Sequence, residues 1–157
     1  MDEGDREKLI AELVRTKLPA LVLFARQWKH DSAEDIVQEA FIRLMRLAAP
    51  PQDPVAWLFA AVRNASNYYL RAEKRRKCRE DKSLADKKPW FSPSEGEDEL
   101  VAELQSLPFD YRTVIVAKIW GNLTFEQIAA MTGSSKSSAH RKYNEGLALL
   151  RKRLEES

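Results

Sequence analysis

Apolar residues recur every three or four positions along most of this chain, and no stretch alternates at the period of a strand, so the pattern predicts helices throughout. From about Glu7 to Gln27 the apolar side is Leu9, Ile10, Leu13, Leu21, Val22 and Phe24, with a break or kink expected at Pro19. Asp31 or Ser32 is placed to cap a second helix running to about Leu47, on which Ile36, Val37, Ala40, Phe41, Leu44 and Met45 form a continuous apolar face. Pro50, Pro51 and Pro54 then force a loop. A third helix, or a closely coupled pair, runs from Val55 to about Arg79. Periodicity fades between Glu80 and Asp98, where Pro89, Ser92, Pro93, Ser94 and Gly96 read as a short flexible linker, although Trp90 and Phe91 are odd for a pure spacer. Short helices follow over Glu99–Ser106 and Phe109–Trp120, the latter ended by Gly121-Asn122, and then a final helix pair. The expected fold is all-α, in two small helical domains: residues 1–80, a linker over 81–98, and residues 99–157.

The final pair is the most informative part. Thr124 with Gln127 three residues on is a capping-box pattern that starts a helix at Phe125, with Ile128 and Ala129 facing inward and Ala129 small enough to let another helix cross closely. Gly133 stands where the chain must turn sharply, and Ser134 or Ser135 can cap a long second helix. There Ala139, Tyr143, Leu147, Leu150 and Leu154 make the buried side, while Lys136, Ser137, Ser138, His140, Arg141 and Lys142 supply donors and small hydroxyls. A plain amphipathic helix pair explains the apolar spacing equally well. It does not explain a glycine turn followed by a polar first turn without an acid before Glu145, which fits a helix-turn-helix presented to a major groove.

Charge distribution sharpens this reading. The net charge of +2 conceals −2 over residues 1–53, +6 over 54–88, −6 over 89–110 and +4 over 111–157. Two basic blocks separated by an acidic connector suggest two places where a polyanion is held. The first block carries seven Lys or Arg between Arg63 and Arg79 against one acid, Glu73. Asn64, Asn67, Tyr68 and Tyr69 are interleaved with them, a mixture suited to single-stranded nucleic acid, although one tyrosine and Trp57 are better read as core. On the second helix, Asp35, Gln38, Glu39, Ile42 and Arg43 lie largely off the apolar face, and the helix dipole alone would account for acids in its first turn.

Several function classes drop out. One cysteine, Cys78, excludes an internal disulfide and fits a reducing compartment. No apolar run is long enough for a membrane span and no signal-peptide pattern is present, so a cytoplasmic protein is expected. His30 and His140 lack metal-ligand neighbours, only five glycines occur and none forms a phosphate loop, and Glu34-Asp35 merely opens a helix. No catalytic residue, metal or cofactor is expected.

The block Ala33-Glu-Asp-Ile-Val-Gln-Glu-Ala-Phe-Ile-Arg-Leu resembles region 2 of bacterial RNA polymerase sigma factors, and Pro54-Val-Ala-Trp-Leu…Val-Arg-Asn…Leu-Arg…Lys-Arg-Arg resembles the promoter-melting part that follows. Leu107-Pro-Phe-Asp-Tyr-Arg…Gly-Asn-Leu-Thr-Phe-Glu-Gln-Ile-Ala…Gly resembles region 4. Their order and spacing are similar to the extracytoplasmic-function group, in a planctomycete-like variant. The resemblance implies a non-enzymatic factor that binds core RNA polymerase at its clamp and flap surfaces, directs it to promoter DNA and assists opening, with an anti-sigma protein as a candidate further partner. It implies that Asp35, Gln38 and Glu39 grip the clamp. Arg63 and Asn64 would hold the melted −10 strand beside Asn67 and Tyr68, with Arg71, Lys74, Arg75 and Arg76 along the flanking DNA. Arg112 would contact a phosphate, and Lys136, Ser137, Ser138, His140, Arg141 and Lys142 would serve the −35 element. The chain departs from the common pattern at Asn67-Tyr68, at Gln127 and at Ser137-Ser138-Ala139, so promoter preferences do not carry over. Two other readings stay open on the residues alone: a free-standing helix-turn-helix regulator and a protein-interaction module.

Overall fold

The computed structural model describes residues 2–28, 31–77 and 97–156; His30, Cys78, Arg79 and most of the expected linker, with Trp90 and Phe91, lie outside them. The chain divides into two compact units at Ser92/Pro93. Among the described residues the first holds α1 (Glu3–Arg26), α2 (Ala33–Arg46) and α3 (Pro54–Lys77). The second holds α4 (Glu97–Ser106), α5 (Phe109–Ile119), α6 (Phe125–Thr132) and α7 (Lys136–Glu156).

In the first unit each helix packs on the other two. Asp2 caps α1 by accepting the Asp5 amide at 2.8 Å. Contrary to the expected break, α1 runs through Pro19 without ending. The proline sits at an exposed position, and everything from Ala20 to Ala25 beyond it is buried, so core packing outweighs the lost backbone bond. The centre of this core is aromatic: Phe24 meets Phe59 at 5.0 Å and Trp28 at 5.2 Å, both edge-to-face. Met45, expected on the apolar face of α2, is 50% exposed instead. The Arg6 guanidinium reaches from α1 to the Leu44 and Leu47 carbonyls, satisfying acceptors at the end of α2. The third helix is continuous, with Asp53 accepting the Ala56 amide at 3.1 Å and Pro54 in the first helical position, where its missing N–H is harmless.

In the second unit α7 is the axle, packing on α4, α5 and α6. The capping box forms as expected: Gln127 N–H to Thr124 Oγ1 at 3.1 Å, and Thr124 N–H to Gln127 Oε1 at 2.7 Å. Gly133 takes φ 67°, and the Ser134 amide closes the turn on the Ala129 carbonyl at 2.9 Å. Of the two candidate caps it is Ser135 that acts, accepting the Ser138 amide at 3.0 Å. Between α5 and α6 the left-handed residue is Asn122, at φ 56°, rather than Gly121. α4 starts at Glu97, two residues ahead of the expected start, in an acidic stretch that suits a helix's positive end.

The inner side of α7 is Ala139, Gly146 and Leu150, flanked by half-buried Tyr143 and Leu147, while Leu154 is 41% exposed. Gly146 decides how near α5 can come. A Cβ there would lie 2.9 Å from Ile115 Cδ1 and 3.1 Å from Tyr111 Cβ, and Ile115 is itself fully buried. Gly146→Leu, which adds a good helix former and so isolates the steric effect, should destabilise this unit by about 1–3 kcal/mol. Chemical denaturation followed by circular dichroism should show the lower midpoint; an unchanged midpoint would mean that α5 yields without cost.

Candidate nucleic-acid interface

What each helix leaves outside the core defines the candidate surfaces. On α7 the exposed side carries Ser137, His140, Arg141 and Asn144. Ser137, Arg141 and Asn144, at i, i+4 and i+7, form one stripe roughly opposite Ala139 and Gly146. The other expected contacts are placed differently. Lys136 is exposed and pairs with Glu126 of α6 at 3.3 Å, a solvated contact of little energetic weight. Ser138 is half-buried. Lys142 turns toward α5, 4.0 Å from Asp110. His140 is exposed yet has a packing role, its ring lying edge-to-face on Phe125 at 4.9 Å.

Asn144 is absent from the expected contacts, although its spacing from Ser137 and Arg141 was a usable signal. Tyr111 of α5 leaves no such trace in the sequence: its hydroxyl donates to Glu145 at 2.9 Å, across 34 residues. That bond, and then the carboxylate's charge, raises the phenol above its ordinary pKa. The acid nearest the open stripe is thereby engaged by a neutral donor.

Arg112 departs most from expectation. It is only 6% exposed, its guanidinium lies 5.4 Å from the Phe109 ring centroid, and its buried Nε and Nη1 have no hydrogen-bond partner. Burial pushes its pKa below the ordinary arginine value.

In the first unit, Asp35, Gln38 and Glu39 are all exposed on α2, opposite buried Ile36, Val37, Ala40 and Leu44. At i, i+3 and i+4 they share one face. Along α3, Asn64, Tyr68, Arg71 and Arg75 are exposed at i, i+4, i+7 and i+11 and form a single stripe, with Tyr68 66% exposed. Lys74 is exposed beside it, Arg76 is exposed on another side, and Arg63 is half-buried. Asn67 already has a task in the fold: its Oδ1 accepts the Trp28 indole N–H at 2.6 Å, tying the end of α1 to α3. Tyr69, the inner tyrosine, is half-buried. Trp57, also half-buried, lies beneath the Arg43 guanidinium at 5.8 Å. No described helix is long and apolar enough to cross a membrane.

A capped helix-turn-helix with an open polar stripe in one unit, and a basic and aromatic stripe on a helical bundle in the other, define a DNA-binding protein of transcription. The chain matches Sigma-70 region 2 over residues 13–76 and Sigma-70 region 4 over residues 97–150, together about three quarters of its length. It belongs to the sigma-70 family of RNA polymerase sigma factors, in the extracytoplasmic-function group. Such a factor binds core RNA polymerase and directs it to promoters. The chain is 24% identical to RNA polymerase sigma factor SigV of Bacillus subtilis over 124 residues, 77% of this chain and 75% of that protein. Its fold is similar to the sigma factor RpoE of Bartonella quintana, solved with the anti-sigma factor NepR, at TM-score 0.69 and 24% identity, covering 95% of this chain and 98% of that one. It is likewise similar to CnrH, solved with the cytosolic domain of CnrY, at TM-score 0.64 and 19% identity, covering 96% and 90% of the two chains.

Two buried guanidinium nitrogens of Arg112 without hydrogen-bond partners oppose folding. Arg112→Met keeps the apolar stem and removes the charge, so it should leave the melting temperature of the free protein unchanged or raise it, by about 1 kcal/mol of stability. A clear loss of stability in differential scanning calorimetry would make the guanidinium structural.

Proposed function

We propose that this sigma factor uses three exposed faces for three tasks. Asp35, Gln38 and Glu39 on α2 bind the polymerase clamp. The α3 stripe, Asn64, Tyr68, Arg71 and Arg75 with Lys74 beside it and Arg76 on a neighbouring side of the helix, holds the melted −10 strand and the DNA next to it. The α7 stripe reads the −35 element, with Lys136, His140 and Lys142 along its margins and Arg112 reserved for a backbone phosphate. Residues 1–80 thus act as the region 2 domain, 81–98 as a linker and 99–157 as the region 4 domain. The work is done where polymerase and DNA are, in the cytoplasm, and the polymerisation chemistry belongs to the polymerase. The anti-sigma factor bound to RpoE and the CnrY domain bound to CnrH support a partner of that kind for this chain as well.

The observation that carries this reading is the α3 stripe. Four side chains able to stack on bases or pair with phosphates fall on one exposed side of a helix whose other side is core. Arg63 and Asn67 stand nearer the body of the domain and shape the stripe's margin. An independent regulator would have no use for the acidic and amide face on α2, and a pure interaction module none for the basic one on α3.

Replacing Asp35, Gln38 and Glu39 together with alanine should spare folding, because none is buried, while each lost charge-assisted contact weakens polymerase binding by about 1–3 kcal/mol. Undiminished co-purification with core polymerase would remove the clamp assignment. Replacing Arg71, Lys74, Arg75 and Arg76 with glutamine should reduce open-complex formation on all promoters alike and flatten its salt dependence by a slope of about one per lost phosphate contact. Permanganate footprinting over a salt series reads this directly, and normal melting at raised salt would overturn it.

A further inference from the structure

We infer that Asn144 is a base-reading side chain of α7 and that His140 is the positioning residue that aims its carboxamide. This rests on the reading that α7 enters the major groove, and adds to it a residue and the base chemistry it selects. Asn144 is exposed one turn beyond Arg141 and two turns beyond Ser137, on the same open stripe. Its Nδ2 lies 3.1 Å from Nδ1 of His140. With Nδ2 as the donor, Nδ1 is the acceptor, a role that the Nε2–H tautomer of a neutral imidazole can fill.

The imidazole is itself held. Its ring stands edge-to-face on Phe125 at 4.9 Å, and Phe125 also meets Tyr143 edge-to-face at 5.5 Å. The Lys118 ammonium of α5 lies 4.6 Å from the Phe125 ring centroid. Turning the imidazole therefore disturbs contacts that reach from α7 through α6 to α5. A carboxamide on an exposed helix side would otherwise turn about its last bond; here the bond to Nδ1 restrains it.

That bond uses one of two amide protons. Oδ1 and the second N–H remain, an acceptor beside a donor, complementary to the N6 donor and N7 acceptor of adenine. Guanine offers two acceptors at those places and leaves Oδ1 facing an oxygen. Asn144 should accordingly favour adenine at one position of the upstream element.

Holoenzyme reconstituted with the full chain and core polymerase, selecting from a randomised promoter pool, tests this. Wild type should select adenine at one upstream position, and Asn144→Ala should reduce that preference about tenfold while leaving the other positions as they are. His140→Leu keeps an apolar side chain against Phe125 and removes the acceptor, so it should blunt the same adenine preference. His140→Gln restores an acceptor and should recover it. An Asn144→Ala selection identical to wild type overturns the base-reading role. A His140→Leu variant that weakens all promoters alike, without flattening that position, makes His140 structural and overturns the positioning role. Should wild type select no upstream sequence at all, groove reading by α7 fails with it, a result visible before any variant is compared.

Discussion

The contact of Gly146 with Ile115 and Tyr111 sets the rotation of the longest helix in the second unit, and much else there follows from it. Because the backbone of α7 comes this close to α5, the helix cannot turn about its axis without forcing another residue into a space where even a methyl group meets atoms at 2.9 Å. The rotation fixes Ala139 and Leu150 inside, Lys142 toward Asp110, and Ser137, Arg141 and Asn144 outside. In the first unit Phe24 plays the corresponding part. Its ring contacts with Phe59 and Trp28 lock α1 to α3, and the Trp28–Asn67 hydrogen bond continues that lock to the edge of the basic stripe.

Features governed by neighbours in the sequence were legible before any coordinates. The capping box at Thr124, the left-handed turn at Gly133 and the buried stripes of α2 and α7 depend on residues three to seven apart, and the sequence states those spacings. The exposure of Asp35, Gln38 and Glu39 follows from the same arithmetic. At Pro19 the local cost predicts a break or a kink; the helix does not break, because the core beyond it repays that cost. Gly146 carries no such local signal, because a glycine that permits close approach is recognised only once the approaching helix is known. Lys142, Arg112 and Asn67 belong to the same class: each has its environment decided by a residue on another element, or by the depth at which its own helix sits.

The electrostatics of the two stripes differ in kind. Along α3, Arg71, Lys74, Arg75 and Arg76 are exposed, so their attraction for a polyanion is long-ranged and screened by salt. On α7 the cations near the stripe have acids close by: Lys136 pairs with Glu126, Lys142 lies 4.0 Å from Asp110, and Arg141 stands beside a Glu145 already engaged by Tyr111. In the roles proposed above, local acids would temper the pull of the α7 stripe on DNA and leave more of its discrimination to shape and hydrogen bonding, whereas the α3 stripe would contribute mainly charge.

Along the open stripe, Asn144 is tied through His140 to Phe125 while Ser137 and Arg141 carry no such packing tie, and the difference has an evolutionary side. Ser137 and Arg141 project from the open stripe without carrying the core, so mutation can replace them at almost no folding penalty, and under the proposed reading lineages could drift toward new promoters through these two positions. His140 is anchored to Phe125, and a change there is felt through α6. New binding preferences should therefore arise stepwise, quickly at the unencumbered positions and slowly at the Asn144–His140 pair, which makes that pair the conservative half of whatever sequence code this helix carries.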